Sequence, residues 1–260
     1  MNSSKFHQVL SWFSGYCRAF YTGNENYDRN ISLKEEHTGR VRDNIRLIAG
    51  SIGATDGDLL LAETIALLHD VGRFPQYQRY RTFKDSISVN HAALGGEVLR
   101  SEAPLDKLPS HEQDVIVRTV CLHNVYALPA TLDSETSLFL KMVRDADKLD
   151  IWRVFIEFYG QTEDQRASAV GLGFPDLPGC SPEVVTCLQR REMVRLDTVR
   201  CLNDFKLLQV SWVYDLNFSA SFRILLERDL IGRLAKALPR DEGVQRVVAS
   251  LRAWAETKSR

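Results

Sequence analysis

The stretch Leu59-Leu-Leu-Ala-Glu-Thr-Ile-Ala-Leu-Leu-His-Asp-Val-Gly72 decides how this chain is read. Apolar residues fall on nearly every side of it, the pattern of a helix buried all round. At its end an imidazole and a carboxylate, His69 and Asp70, stand side by side. Buried there, the pair carries a high desolvation cost unless something compensates it. A divalent cation compensates both at once, and the negative end of the helix dipole favours a positive charge in that place. Asp56-Gly-Asp58 opens the helix, and Gly72 is expected at the C′ position that closes it.

On the N-terminal side, residues 3–20 read as an amphipathic helix followed by a polar loop from Thr22 to Ile31. Ser32-Leu-Lys-Glu35 fits a capping box, which predicts a new helix from Ser32. Along it His37, Val41, Ile45, Ile48 and Ile52 recur at helical spacing, so His37 lies on the buried stripe. On the C-terminal side, Arg73 to Lys84 has no clean period and is expected to be a loop. In it Arg73, Arg79, Arg81 and Lys84 alternate with Phe74, Tyr77, Tyr80 and Phe83.

A helix from near Ser88 places His91, Leu94, Val98 and Leu99 on one face. After a break around Pro104–Pro109, a helix from about His111 to His123 aligns Ile116, Val120 and His123. A long helix from about Glu135 to Tyr159 is apolar on two faces, so periodicity does not choose between Asp145 and Asp147. Residues 160–182, rich in Gly and Pro, read as loop, and the remainder is helical with interruptions near Leu216–Ser221 and Leu238–Gly243. With no convincing strand, the expected fold is all-α: a single domain over 1–260, its core at about 30–160 and a C-terminal helical extension at about 183–260.

Composition narrows the classes further. Charged residues make up 26% and hydrophobic ones 44% of the 260 residues, too apolar for disorder. A net charge of −1 gives no electrostatic reason to expect a nucleic acid polymer or an anionic membrane as partner. The longest run without Asp, Glu, Lys or Arg, Thr119 to Leu132, is too short and too polar for a membrane span. The N-terminus lacks the basic-then-apolar layout of a signal peptide. Five cysteines without a CxxC pair read as reduced thiols, so a cytoplasmic protein is expected.

Taken singly, a histidine on an apolar helix face is more often a hydrogen-bonded core residue than a ligand. Here His37, His69, His91 and His123 all lie at helix ends or on apolar faces, and just two of the six histidines, His7 and His111, fall outside the pattern. With Asp70 and the run Asp-Ala-Asp-Lys-Leu-Asp at 145–150, the bland reading needs several unrelated buried polar groups.

In these residues the chain resembles the HD-domain superfamily of metal-dependent phosphohydrolases, whose pattern is a His, a His-Asp pair and a distant Asp, often within Ala-Asp-x-Leu. His37, His69, Asp70 and Asp147 match it over roughly residues 30–160, and the resemblance implies Asp147 rather than Asp145 as the ligand. His91 and His123 extend the match to the six-ligand, dinuclear branch. It implies one ion on His37, His69, Asp70 and Asp147, and a second on Asp70 as a bridge with His91 and His123. Imidazole and carboxylate suit Mn, Fe, Co, Ni or Zn. Two such ions lower the pKa of a bridging water and clamp the attacking and leaving oxygens of a phosphoryl displacement.

The expected activity is hydrolysis of a phosphate ester or anhydride of a small metabolite or nucleotide by a metal-bound hydroxide, with His69 and Asp70 at the reacting centre. Arg73, Arg79, Arg81 and Lys84 are the expected substrate-binding cations, since phosphate recognition needs positive charge beyond the metals. Lys148 is a weaker candidate, and Asp145 and Asp150 are candidates for orienting ligand imidazoles. Two alternatives share the scaffold: a di-iron HD-like oxygenase, and a non-catalytic metal-stabilised regulatory module. The C-terminal helices are a candidate surface for a homo-oligomer.

Overall fold

Short polar side chains set where the helices begin. The computed structural model describes residues 1–170 and 173–260. Asn2 accepts from the Lys5 amide and starts α1 (Ser3–Arg18). Asn24 accepts from Tyr27 N and starts α2 (Glu25–Ser51). Thr55 accepts from Asp58 N and starts α3 (Asp56–Leu68). Each cap satisfies a backbone donor that the first helical turn leaves free. Then follow α4 (Arg73–Tyr80), α5 (His91–Ser101), α6 (Ser110–Leu122) and α7 (Ser134–Gly160). Every element among the described residues is helical, as expected, and no helix is long and apolar enough to cross a membrane.

The chain divides into two compact units, Met1–Asp150 with Arg166–Val170, and Ile151–Gln165 with the described residues of Gly171–Arg260. In the first, α3 is the axis. Every residue from Leu61 to Leu68 is buried, and α1, α2 and α6 pack around it. Its one buried acid, Glu63, meets Arg46 at 3.3 Å and Arg42 at 3.9 Å. Asn44 of α2 donates to Ala146 O of α7 at 3.0 Å, which ties these helices together next to Asp147.

Four local expectations are corrected. The helix does not begin at Ser32. The segment from Glu25 is already helical, because Asn24 caps it and Asp28 accepts from Thr22 N and Gly23 N, so Ser32 sits mid-helix and donates to Glu36. Gly72 is not a left-handed C′ residue. Its φ is −68°, and it leads directly into α4. A Cβ there would run into His91 O and Gly95 N, so glycine is required by the close approach of α5 rather than by a turn.

Residues 73–80 are helical, not loop, and their aromatics are mostly core. Phe74 packs against Phe13, Tyr16 and Phe20, while Tyr77 packs against Tyr27 and Phe83. The helix expected from Ser88 begins instead at His91. Asn90 accepts from Ala92 N and Ala93 N, and Asp85–Ile87 forms a separate 3₁₀ turn.

The second unit carries α8 (Pro182–Gln189), α9 (Leu202–Ser211), α10 (Ser219–Glu227), α11 (Leu230–Ala235) and α12 (Glu242–Lys258). Proline at the first position of α8 fits the helix start, where no amide partner is lost. Asp204 on the buried helix α9 accepts from Ser181 N, Ser181 Oγ and Arg200 N at 2.7, 2.6 and 3.0 Å. Trp152 donates to Gln209 O in the same unit.

Candidate metal centre

The elements of the first unit deliver their polar side chains to one place. His37 comes from the middle of α2, and His69 and Asp70 from the end of α3. His91 is the first residue of α5, His123 caps the end of α6, and Asp147 lies on α7. Arg144, also on α7, donates to His123 O at 3.0 Å and to Val125 O, which pins the end of α6.

Asp70 is the hub. Its Oδ2 lies 3.7 Å from both His37 Nε2 and His69 Nε2, and its Oδ1 lies 3.4 Å from His91 Nε2 and 3.8 Å from His123 Nε2. One carboxylate thus turns one oxygen to each imidazole pair. Asp147 Oδ1 approaches His37 Nε2 at 3.0 Å and His69 Nε2 at 3.7 Å. Ligand atoms of His37, His69 and Asp70 form one metal-sized group, and those of Asp70, His91 and His123 a second.

The far nitrogens are all held. His37 Nδ1 meets Asp150 at 2.7 Å and His91 Nδ1 meets Asp85 at 2.7 Å. His69 Nδ1 meets Ala66 O at 2.7 Å and His123 Nδ1 meets Val120 O at 2.8 Å. A carbonyl can accept but not donate, so Nδ1 of His69 and His123 carries the proton. In the neutral ring Nε2 then presents a lone pair. These lone pairs face carboxylate oxygens, and His91 Nε2 faces His123 Nε2 at 3.0 Å. His37 Nε2 and His69 Nε2 are buried without an aligned hydrogen bond. Lone pairs converging on carboxylates are costly alone and favourable around a cation, so the donor set fits divalent transition metals.

The electrostatics agree. Burial works against a charged Asp70, but Lys34, His69 and Arg73 hold its carboxyl well below the usual range. Burial likewise opposes ionisation of Asp147, and His37 and His69 more than offset it. Burial, aided by His91 and His69, pushes His123 down to about 3, and burial with Arg73 lowers His91. Both rings are therefore neutral, as a ligand must be. Burial and Lys34 depress His37, yet the carboxylates of Asp147 and Asp150 outweigh them and raise it to about 9, so this corner stabilises positive charge.

All six residues expected as ligands, His37, His69, Asp70, His91, His123 and Asp147, converge here. The two histidines left out lie elsewhere and exposed, His7 on Ser3 O and His111 on Glu135. Among the expected substrate-binding cations, Arg73 reaches Asp70 Oδ1 at 3.5 Å, and its NH1 also donates to Gln76, Phe83 O and Asp85. Arg79 is exposed beside Tyr80, Arg81 lies over the Tyr27 ring, and Lys84 is half-buried. Of the candidate orienting acids, Asp150 backs His37, while Asp145 is buried on α7. Lys148 bonds back to Arg144 O.

Sequence reasoning missed two residues. Asp85 supports His91, and nothing in its local pattern marks it. Lys34, 2.7 Å from Asp70 Oδ2, stands one turn before His37 on α2, and that spacing was the available signal.

Residues 35–152 match the family described as HD domain. No curated relative and no solved structure matches the chain. The matched segment begins two residues before His37 and ends beyond Asp147, so it spans all six converging residues. The chain carries an HD domain over residues 35–152, with buried His/Asp clusters consistent with a metal site at its centre.

Proposed function

We propose that this chain is a metal-dependent phosphohydrolase that cleaves a phosphate ester or anhydride of a small metabolite or nucleotide. The observation that carries the reading is Asp70, which offers one carboxylate oxygen to each of two imidazole pairs whose far nitrogens are already held. Bound divalent ions supply Lewis acidity there, polarising a phosphoryl oxygen and lowering the pKa of water. His37, His69 and Asp70, with Asp147 beside them, would hold one ion, and Asp70, His91 and His123 would hold a second.

The chain's remaining work is orientation and charge. Asp150, Ala66 O, Asp85 and Val120 O hold the four rings, so little reorganisation is left for the reaction itself. The centre reaches solvent where Asp147, Lys34 and Arg73 keep 17%, 16% and 15% of their side chains exposed. Two cations at that opening suit a substrate carrying more negative charge than metal ions alone neutralise. Arg79, Arg81 and Lys84 add positive charge along the adjoining segment.

The test is phosphate release from a panel of phosphoesters by manganese- or cobalt-loaded protein in an anaerobic chamber. Release there, lost in Asp70→Asn, is the expected result. Turnover that needs both iron and O₂ would replace this reading with the oxygenase, and a metal-loaded protein inert toward every substrate class would leave the regulatory module.

A further inference from the structure

Asp70 Oδ2, the oxygen that faces His37 and His69, already has a partner. Lys34 Nζ donates to it at 2.7 Å, so an ammonium shares the carboxylate oxygen that the His37, His69 and Asp70 group offers a cation. Arg73 stands on the other oxygen at 3.5 Å, but its NH1 is tied to Gln76, Phe83 O and Asp85. Among the described residues Lys34 has no such tether. Its hydrogen-bond acceptor is Asp70, its side chain is partly exposed, and its ammonium lies 5.2 Å from the centre of the Phe83 ring.

We propose that Lys34 is an exchangeable counter-ion. It neutralises Asp70 until a divalent cation takes Oδ2, and once displaced it becomes the donor that binds the substrate's phosphoryl oxygens. The inference deepens the phosphohydrolase reading and rests on it. Two cations sharing one carboxylate oxygen in a buried, weakly screening site repel each other, so a metal ion on Oδ2 loosens the untethered Lys34 and Lys34 weakens the metal. Lysine suits the role because its ammonium is a point charge with three donors on a flexible stem, whereas Arg73 is clamped. The ammonium lies 5.2 Å from the Phe83 ring centre while it donates to Asp70, so a cation–π contact stays within reach once it lets go. Lys34 precedes His37 by one helical turn on α2, so it stays beside the centre after it lets go of Asp70.

Two titrations of the full chain test this, with manganese alone and then with inorganic phosphate added to manganese-loaded protein. Wild type is compared with Lys34→Met and Lys34→Arg, and thermal unfolding checks that each is folded. The expected results have opposite signs. Lys34→Met binds manganese about tenfold more tightly, since the competing charge is gone, and its loaded form binds phosphate at least about tenfold more weakly. Lys34→Arg recovers phosphate binding. A merely structural lysine would weaken both affinities together. Manganese affinity that is unchanged or weaker in Lys34→Met, or phosphate binding that survives it, overturns the proposal. Failure of the phosphohydrolase reading shows separately, as wild-type protein that binds manganese and phosphate but hydrolyses no phosphoester.

Discussion

Replacing Asp85 by Asn should damage one metal position and spare the other. The carboxylate accepts from His91 Nδ1 at 2.7 Å, Arg73 NH1 and Gln76 Nε2 at 2.9 Å each, and Asn124 Nδ2 at 3.3 Å. All four partners are donors, which is why burial fails to neutralise Asp85 and its pKa falls far below the usual range. An amide keeps one accepting oxygen and turns an NH₂ group toward donors, so His91 loses its fixed orientation. Losing a carboxylate behind a ligand imidazole typically weakens metal binding 10–100-fold, or about 1.4–2.8 kcal/mol. The His37 and His69 pair rests on Asp150 and Ala66 O and should be untouched. Equilibrium dialysis against graded manganese, with metal counted per chain, is the assay. Wild type should hold about two ions, and Asp85→Asn should hold one at the original affinity with the second weakened. Asp150→Asn should produce the mirror image. Wild-type binding at both positions in Asp85→Asn, or parallel loss at both in a protein whose circular dichroism is unchanged, would refute the reasoning.

Asp70→Asn should empty both positions and abolish phosphate release, because its two oxygens serve both imidazole pairs; metal analysis of the purified variant checks this. Gly72→Ala should cost about 1–3 kcal/mol in urea unfolding, since the new methyl meets the backbone of His91 and Gly95, which cannot yield cheaply. Asp204→Asn should lose about 1–3 kcal/mol at neutral pH by breaking hydrogen bonds from Ser181 and Arg200. Burial opposes ionisation of Asp204, but those bonds lower its pKa below the unfolded carboxylate value. Its stabilisation is therefore complete above about pH 4 and fades as pH falls below that. The gap between wild type and variant should narrow over that window in parallel urea melts.

Much of this was legible in the chain before folding. The all-round apolar pattern of 59–68 marked the axial helix, and the buried histidines with His69-Asp70 marked the centre, while the choice of Asp147 over Asp145 came from the resemblance to the HD pattern. Boundaries were less legible. Ser32 to Glu35 had the residues of a capping box, but an earlier cap at Asn24 overrode it, since a helix once nucleated runs on through a weak start signal. The segment 73–84 lacked a period because Phe74 and Tyr77 pack against aromatic partners from α1 and α2, while Arg73 turns inward to Asp70.

By itself, then, the sequence determined helix content, the buried axis and the types of side chain able to hold a cation. Periodicity, caps and residue chemistry are local properties, written within a few turns of chain. Only the tertiary structure decided which Asp70 oxygen faces which imidazole pair, that Asp85 and Asp150 lie behind His91 and His37, and that Lys34 stands on the shared carboxylate. The Asp150–His37 contact joins residues on separate helices, and its existence depends on how those helices pack. That packing is set by the summed burial of the whole unit, which no single stretch of sequence records.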